Sequence, residues 1–253
     1  MPISASPPHP WTSFGITHTG NIRDHNEDAF LTLPEQRLWI AADGMGGHTA
    51  GDFASRLIID QFKSFKASPL TGHSVDLIRQ ILTKVNQELW TKAQQMDDTI
   101  IGSTVAILLA TKHHVATVWS GDSRIYRLRD GLFKQITRDH SEGEEFESGI
   151  GDFVGSAFTN AVTQAIGAAE ELQVEMEIRE NRPGDTYLLC SDGLNKELSD
   201  QQIAAILQAN NVETAAQILL REALDNYGRD NITVVLAHYP VADGTDKLTI
   251  KLD

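Results

Sequence analysis

The sequence predicts an α+β fold organised on antiparallel sheet, and three observations predict it. The apolar runs Val105 to Ala110, Val115 to Ser120 and Arg124 to Arg129 follow one another with only short turns between them, too short for crossover helices. Asp130-Gly131, leading into Leu132-Phe133, is a two-residue hairpin signal. Apolar stripes at helical spacing stand before and after this block instead of alternating with each strand.

The elements follow in order. Met1 to Pro10, rich in Pro and Ser, reads as a loose leader. Trp11 to Thr19 reads as a first strand anchored by Phe14 and Ile16. A dense polar cluster, Gly20 to Asp28, precedes the short apolar run Ala29 to Leu33. Pro34 and Gln36 turn the chain into a buried strand, Leu38 to Ala42, which stops at Asp43. A helix follows from about Asp52 with Phe53, Leu57, Ile58 and Phe62 on one side. Ser74 is expected to cap a longer helix whose stripe is Leu77, Ile78, Ile81, Leu82, Val85, Leu89 and Trp90.

Beyond the central strands, His113 and His114 fall in a turn and are expected at the surface. Thr137 to Thr159 is the least regular stretch, and a flap is expected at about 140–160. Leu172 to Ile178 alternates as a strand does, Arg182 to Asp185 is a turn, and Thr186 to Cys190 is a buried strand ending at Ser191-Asp192-Gly193. Ser199 to Gln202 forms a capping box, and Asn211 caps a second helix that Gly228 terminates. Arg229-Asp230-Asn231 leads into a last strand, Ile232 to Ala237, and a tail occupies 241–253. No repeat or linker divides the chain, so residues 11–240 are expected to form one domain.

Composition removes several function classes. The 253 residues carry 21 Lys plus Arg against 35 Asp plus Glu, a formal charge of -14, which argues against nucleic acid and anionic membrane as partners. The single cysteine, Cys190, sits among apolar residues, which excludes a disulfide framework or a cysteine zinc site and leaves core packing. No apolar run is long enough to span a bilayer and no signal-peptide pattern opens the chain, so a cytoplasmic location is expected. There is no G-x-x-x-x-G-K-[ST] phosphate loop, no G-x-S-x-G elbow and no H-E-x-x-H pair.

The acidic residues carry the chemistry. Asp43, Asp122 and Asp192 each end an apolar strand and touch glycine; Asp230 precedes a strand, and so do Glu27 and Asp28. At any one of these places an ordinary exposed turn carboxylate would read the same way. Six in equivalent places could gather at one end of the sheets, where their mutual repulsion calls for cations. The candidate ligands are all oxygen, which favours Mg²⁺ or Mn²⁺. Two such ions about 3.5 to 4 Å apart activate water for in-line attack on phosphorus.

The ordered set Arg23-Asp24-His25-Asn26-Glu27-Asp28, Ala42-Asp43-Gly44-Met45-Gly46-Gly47-His48, Gly102-Ser103-Thr104, Gly121-Asp122-Ser123-Arg124, Ser191-Asp192-Gly193 and Asp230-Asn231 resembles the type 2C (PPM) metal-dependent serine/threonine protein phosphatases in their compact bacterial form. The resemblance runs from about Gly15 to Ala237. It implies a four-layer αββα sandwich, two facing antiparallel sheets flanked by helices. It implies that Asp43 bridges two ions, helped by the Gly44 carbonyl. Asp192 and Asp230 would complete the first ion's shell, Glu27 and Asp28 would serve the second, and Asp122 with Asp192 would hold a third. Arg23 would grip the substrate phosphate. Water would attack phosphorus directly, with no phosphoenzyme.

Where animal members carry a His directly after Asp-Gly, this chain has Met45, and the nearest histidine, His48, is the candidate to assist the leaving group. The resemblance further implies phosphoserine and phosphothreonine proteins as substrates, a bacterial-type Ser/Thr kinase as the opposing enzyme, and a monomer. A silent phosphoprotein-binding module on the same fold would have lost metal carboxylates, and all those expected are present. Release of phosphate from a phosphothreonine peptide separates the phosphatase from a hydrolase of small phosphate esters.

Overall fold

In the computed structural model, residues 11–46, 50–96, 100–111, 113–141 and 163–241 are described. Two antiparallel sheets lie face to face. The first has the strand order β1 (Thr12–His18), β11 (Ile232–His238), β10 (Thr186–Cys190), β7 (Arg124–Arg129) and β8 (Leu132–Gln135). The second runs β2 (Asp28–Leu33), β3 (Leu38–Met45), β5 (Val105–Ala110), β6 (His114–Ser120) and β9 (Glu175–Glu180), and the short β4 (Gly102–Ser103) also pairs with β3. Helices α1 (Ala50–Phe62) and α2 (Thr71–Gln94) cover the second sheet. Helices α3 (Asp192–Asn195), α4 (Asp200–Ala209) and α5 (Val212–Asp225) cover the first. This is the αββα sandwich that the resemblance implies.

The side-chain period of two along a strand explains the layers. In β3, Leu38, Ile40 and Ala42 face the α1/α2 layer, while Trp39 and Ala41 face the opposite sheet. In β5, Val105, Ile107 and Leu109 point to the helices and Ala106, Leu108 and Ala110 point inward. In β10, Leu188 and Cys190 meet helices α4 and α5, and Tyr187 and Leu189 fill the centre. Strands buried on both faces read as unbroken apolar runs in sequence for this reason. Small residues leave room between the sheets for Trp39, which has Trp11 at 4.9 Å between ring centroids. Cys190 is fully buried in the outer core, as its apolar neighbours predict.

Local signals place most boundaries. Ser199 caps α4 in a full capping box with Gln202, and Asn211 accepts from the Thr214 amide to cap α5. Tyr227 and Gly228, both at positive φ, stop the chain after α5. Several expectations need correction. Helix α2 starts at Thr71, not at Ser74; Ser74 is buried in its first turns, and its hydroxyl accepts from the Ser68 amide at 2.7 Å, bracing the loop before the helix. Leu77, expected in the core stripe, is 37% exposed. Strand β9 begins at Glu175 rather than Leu172, because its partner β6 ends at Ser120 and Glu175 pairs with Trp119; Leu172 packs on the helical core instead. Ile178, where the alternating run ends, is 57% exposed on this edge strand. His113 and His114 are exposed as expected. Most of the flap expected at about 140–160 lies outside the described residues, as do the leader and most of the tail.

Leu108 is fully buried between the sheets, so Leu108→Ala should lower unfolding free energy by roughly 2–5 kcal/mol in denaturant titration. A loss below about 1 kcal/mol would show that the sheets close over the gap.

Candidate metal centre

The acidic residues meet where strand ends and loops of both sheets converge. Asp28 opens β2 and pairs in register with Asp43 on β3. The Asp28 carboxylate crosses to the other sheet: Oδ2 accepts from Ser191 Oγ at 2.7 Å and from Thr233 Oγ1 at 2.7 Å. Its second oxygen, Oδ1, is buried with no hydrogen-bond partner. Asp122 occupies the turn after β6, Asp192 opens α3, and Asp230 stands two residues before β11, with Asn231 between.

Asp43 and Asp192 do not sit in equivalent backbone settings, although both follow a strand-Asp-Gly pattern in sequence. Strand β3 continues through Asp43 to Met45, where Gly44 pairs with Ser103 and Met45 with Gly102. Between those pairs and the β3–β5 ladder, Thr104 takes the place of a strand partner. Its Oγ1 accepts from the Asp43 amide at 3.0 Å, and its own amide donates to the Asp43 carbonyl at 2.8 Å. Thr104 Oγ1 also lies 2.6 Å from Ser123 Oγ, which ties Asp43 to the Asp122 turn. Asp192, by contrast, is the first residue of a one-turn helix.

Asn231 is the pin of the polar loop. Its amide nitrogen donates to the Thr19 and His25 carbonyls at 2.8 and 2.9 Å, and its oxygen accepts from the Glu27 amide at 2.8 Å. Three bonds from one buried side chain thus fix the segment carrying Arg23, Glu27 and Asp28. Glycine is required where backbones touch here: a Cβ on Gly44 would lie 2.0 Å from the Gly51 carbonyl oxygen, and one on Gly193 would lie 2.0 Å from the Asn231 carbonyl oxygen. These approaches draw α1, α3 and the loop together around the carboxylates.

Electrostatics confirm that the side chains share one neighbourhood. Burial pushes the Asp43 carboxyl well above the usual range, and Asp28, Asp192, Asp122 and Asp230 push it the same way. Burial raises Asp28 to about 7 against the opposing pull of its Ser191 and Thr233 hydrogen bonds, with Asp192 and Asp230 adding to the rise. Asp122 is raised to about 7 by burial and by Asp192, while Lys196 acts against it. Glu27 is raised by burial, which Arg23 opposes. The cluster therefore holds more negative charge than its own surroundings stabilise.

Two cations of the chain face it. Arg23 Nη2 lies 3.0 and 3.1 Å from the two oxygens of Asp230. Lys196 Nζ contacts Asp192 and lies 3.5 Å from Asp230 Oδ2. Among the described residues, no three His, Cys, Asp or Glu side chains are arranged so that they could hold one metal ion as they stand. The donor set nevertheless fits hard cations. It is all oxygen, and Glu27 Oε1, Asp28 Oδ1 and Asp192 Oδ1 are buried without any hydrogen-bond partner. His48 lies outside the described residues. The residues that sequence reasoning assigned no role are Asn231, Thr104, Ser123, Ser191, Thr233 and Lys196. Most are quoted in or beside the motifs, but only the fold shows which backbone or carboxylate each one holds.

The chain matches the family model described as Protein phosphatase 2C over residues 18–226. It is 33% identical over 234 residues to the serine/threonine phosphatase stp of Listeria monocytogenes, covering 87% of this chain and 92% of that protein. It is 33% identical over 222 residues to the serine/threonine protein phosphatase PstP of Mycobacterium tuberculosis, covering 86% of this chain and 43% of that protein. Among solved structures, PppA, a regulatory component of the T6SS in Pseudomonas aeruginosa, superposes with a TM-score of 0.85 at 36% identity over 90% of this chain and 97% of that one. The catalytic domain of PstP in complex with 2 manganese ions superposes with a TM-score of 0.78 at 31% identity over 91% of this chain and 99% of that one. With its sandwich, its clustered carboxylates and a match over most of its length, the chain belongs to the protein phosphatase 2C family of metal-dependent serine/threonine phosphatases.

Proposed function

We propose that the carboxylate cluster holds two divalent cations, Mn²⁺ or Mg²⁺, and that the chain hydrolyses phosphoserine and phosphothreonine in proteins, opposing a bacterial-type Ser/Thr kinase as a cytoplasmic monomer. The observation that carries this reading is the charge balance of the site. Glu27, Asp28, Asp43, Asp122, Asp192 and Asp230 bring six negative charges when ionised, and Arg23 and Lys196 return two positive ones. The remainder is four negative charges, the complement of two divalent ions. The nearby Asp139 and Asp52 do not enter, since Arg124 and Arg56 already pair with them. A third ion, held by Asp122 with Asp192, matches the further two negative charges that a phosphomonoester dianion brings.

In this reading Asp43, with the Gly44 carbonyl, would serve both ions; Asp192 and Asp230 would hold one, and Glu27 and Asp28 the other, directly or through water. Bound, the ions would lower the pKa of a water and polarise the phosphoryl group. The chain supplies the rest. Ser191 and Thr233 hold one Asp28 oxygen and leave the other free for a ligand role. Thr104 fixes the Asp43 backbone, so that the carboxylate is placed before any ligand arrives. Arg23 sits at the exposed mouth, where its planar fork can leave Asp230 for a substrate phosphate. His48 is the candidate to protonate the leaving alkoxide.

The direct test is phosphate release from a phosphothreonine peptide. Release is expected with Mn²⁺, none with EDTA, and Asp192→Ala should lose more than the roughly 10–100-fold typical of outer-shell changes. A folded protein that releases no phosphate under either metal would end the enzymatic reading and leave a phosphoprotein-binding module.

The raised carboxyls give a pH dependence with a definite sign. Asp28 and Asp122 shift from an ordinary 3.8 to about 7, so without metal the folded chain holds more protons than the unfolded chain in that window. Their contribution to stability therefore falls as pH rises through it, and a divalent cation must displace those protons to bind. Saturating Mn²⁺ should raise Tm more at pH 8 than at pH 5.5 in calorimetry. An equal or larger gain at the lower pH would contradict the assignment of these carboxyls as ligands.

A further inference from the structure

Lys196 enters the charge balance above but has no part in the chemistry. It follows α3 by one residue, and its amide donates to the Asp192 carbonyl at 2.9 Å, so the single helical turn holds its side chain beside the Asp192 carboxylate. Its ammonium contacts Asp192 Oδ2 and lies 3.5 Å from Asp230 Oδ2. It also lies within electrostatic reach of Asp122. The side chain is 45% exposed, so it reaches the carboxylates from the solvent side and can swing away.

We propose that Lys196 is a resident counter-cation of the carboxylate cluster, and that its charge sets how much divalent metal the protein needs. The inference rests on the two-ion reading of the site. Physically, Lys196 occupies one oxygen of Asp192 and shares one of Asp230, while Asp192 Oδ1 stays buried and unpartnered. An arriving ion meets a carboxylate already half neutralised. It either displaces the ammonium or binds beside a like charge, and both lower its affinity. In the absence of metal the same ammonium relieves the repulsion among Asp122, Asp192 and Asp230 and stabilises the chain. Arg23 plays a lesser version of this part at Asp230, but it is also placed for substrate. Lys196 is a positioning residue in this account, acting on metal through the carboxylates.

The competing possibility is that Lys196 only orients Asp192, which predicts the opposite sign. The experiment is isothermal titration of Mn²⁺ into the full-length, chelator-treated chain, with metal-free thermal melting alongside, for wild type, Lys196→Gln and Lys196→Arg. Lys196→Gln should bind Mn²⁺ at least about fivefold more tightly, with the gain shrinking as salt rises. Without metal it should melt below wild type. Lys196→Arg, which keeps the charge, should stay close to wild type in both. Unchanged or weaker Mn²⁺ binding in Lys196→Gln, with a wild-type circular dichroism spectrum, would overturn the proposal. Failure of all three folded chains to bind Mn²⁺ would overturn the two-ion reading itself and this proposal with it.

Discussion

Carboxylates gathered away from water repel one another, and the rest of this structure can be understood as the means of holding them together. Asp43 lies within reach of four other aspartates, and burial and charge both push it toward protonation. No single element could impose this. Asp28 and Asp43 come from the β2–β3 hairpin of one sheet, Asp192 and Asp230 from the segments flanking β10 and β11 of the other, and Asp122 from the turn between β6 and β7. The cluster exists because two sheets, each with its own outer helical core, share an inner core that fixes their separation. The energy that opposes the cluster is met by apolar burial elsewhere in the sandwich, so that the site is strained electrostatically while its backbone is well supported.

The support is largely neutral. Asn231 gathers three backbone groups of the polar loop, Thr104 completes the ladder at Asp43, and Ser191 with Thr233 holds one oxygen of Asp28. Hydroxyls and amides position a carboxylate without cancelling its charge, and they leave one oxygen free for a cation. The charged partners, Arg23 and Lys196, stand on the more exposed side, against Asp230 and Asp192. That division separates a neutrally braced side of the site from a side where its charged partners meet solvent.

Much of this was legible in sequence because its causes are local. Period-two and helical apolar spacing revealed nearly every element, and Gly121 marked the turn that carries Asp122. The cap at Asn211 and the capping box at Ser199 were visible because capping depends on neighbours a few residues away. What escaped depends on residues far apart in the chain. The start of β9 is set by where β6 ends, and the start of α2 by a loop braced on Ser74. The role of Asn231 requires partners more than two hundred residues distant, and Lys196 stands beside Asp230 only because α3 folds against β11. The strand-Asp-Gly likeness of Asp43 and Asp192 was real in sequence and divided in structure, one inside a strand and one opening a helix.

The most direct test is crystallographic. Crystals of the full-length chain soaked in Mn²⁺ and measured at the manganese absorption edge would locate the ions without reference to activity. The account predicts two anomalous peaks in contact with Asp43, one also touching Asp192 and Asp230 and the other on the side of Glu27 and Asp28. No peak at Asp43, or a single peak bound elsewhere on this acidic surface, would contradict it.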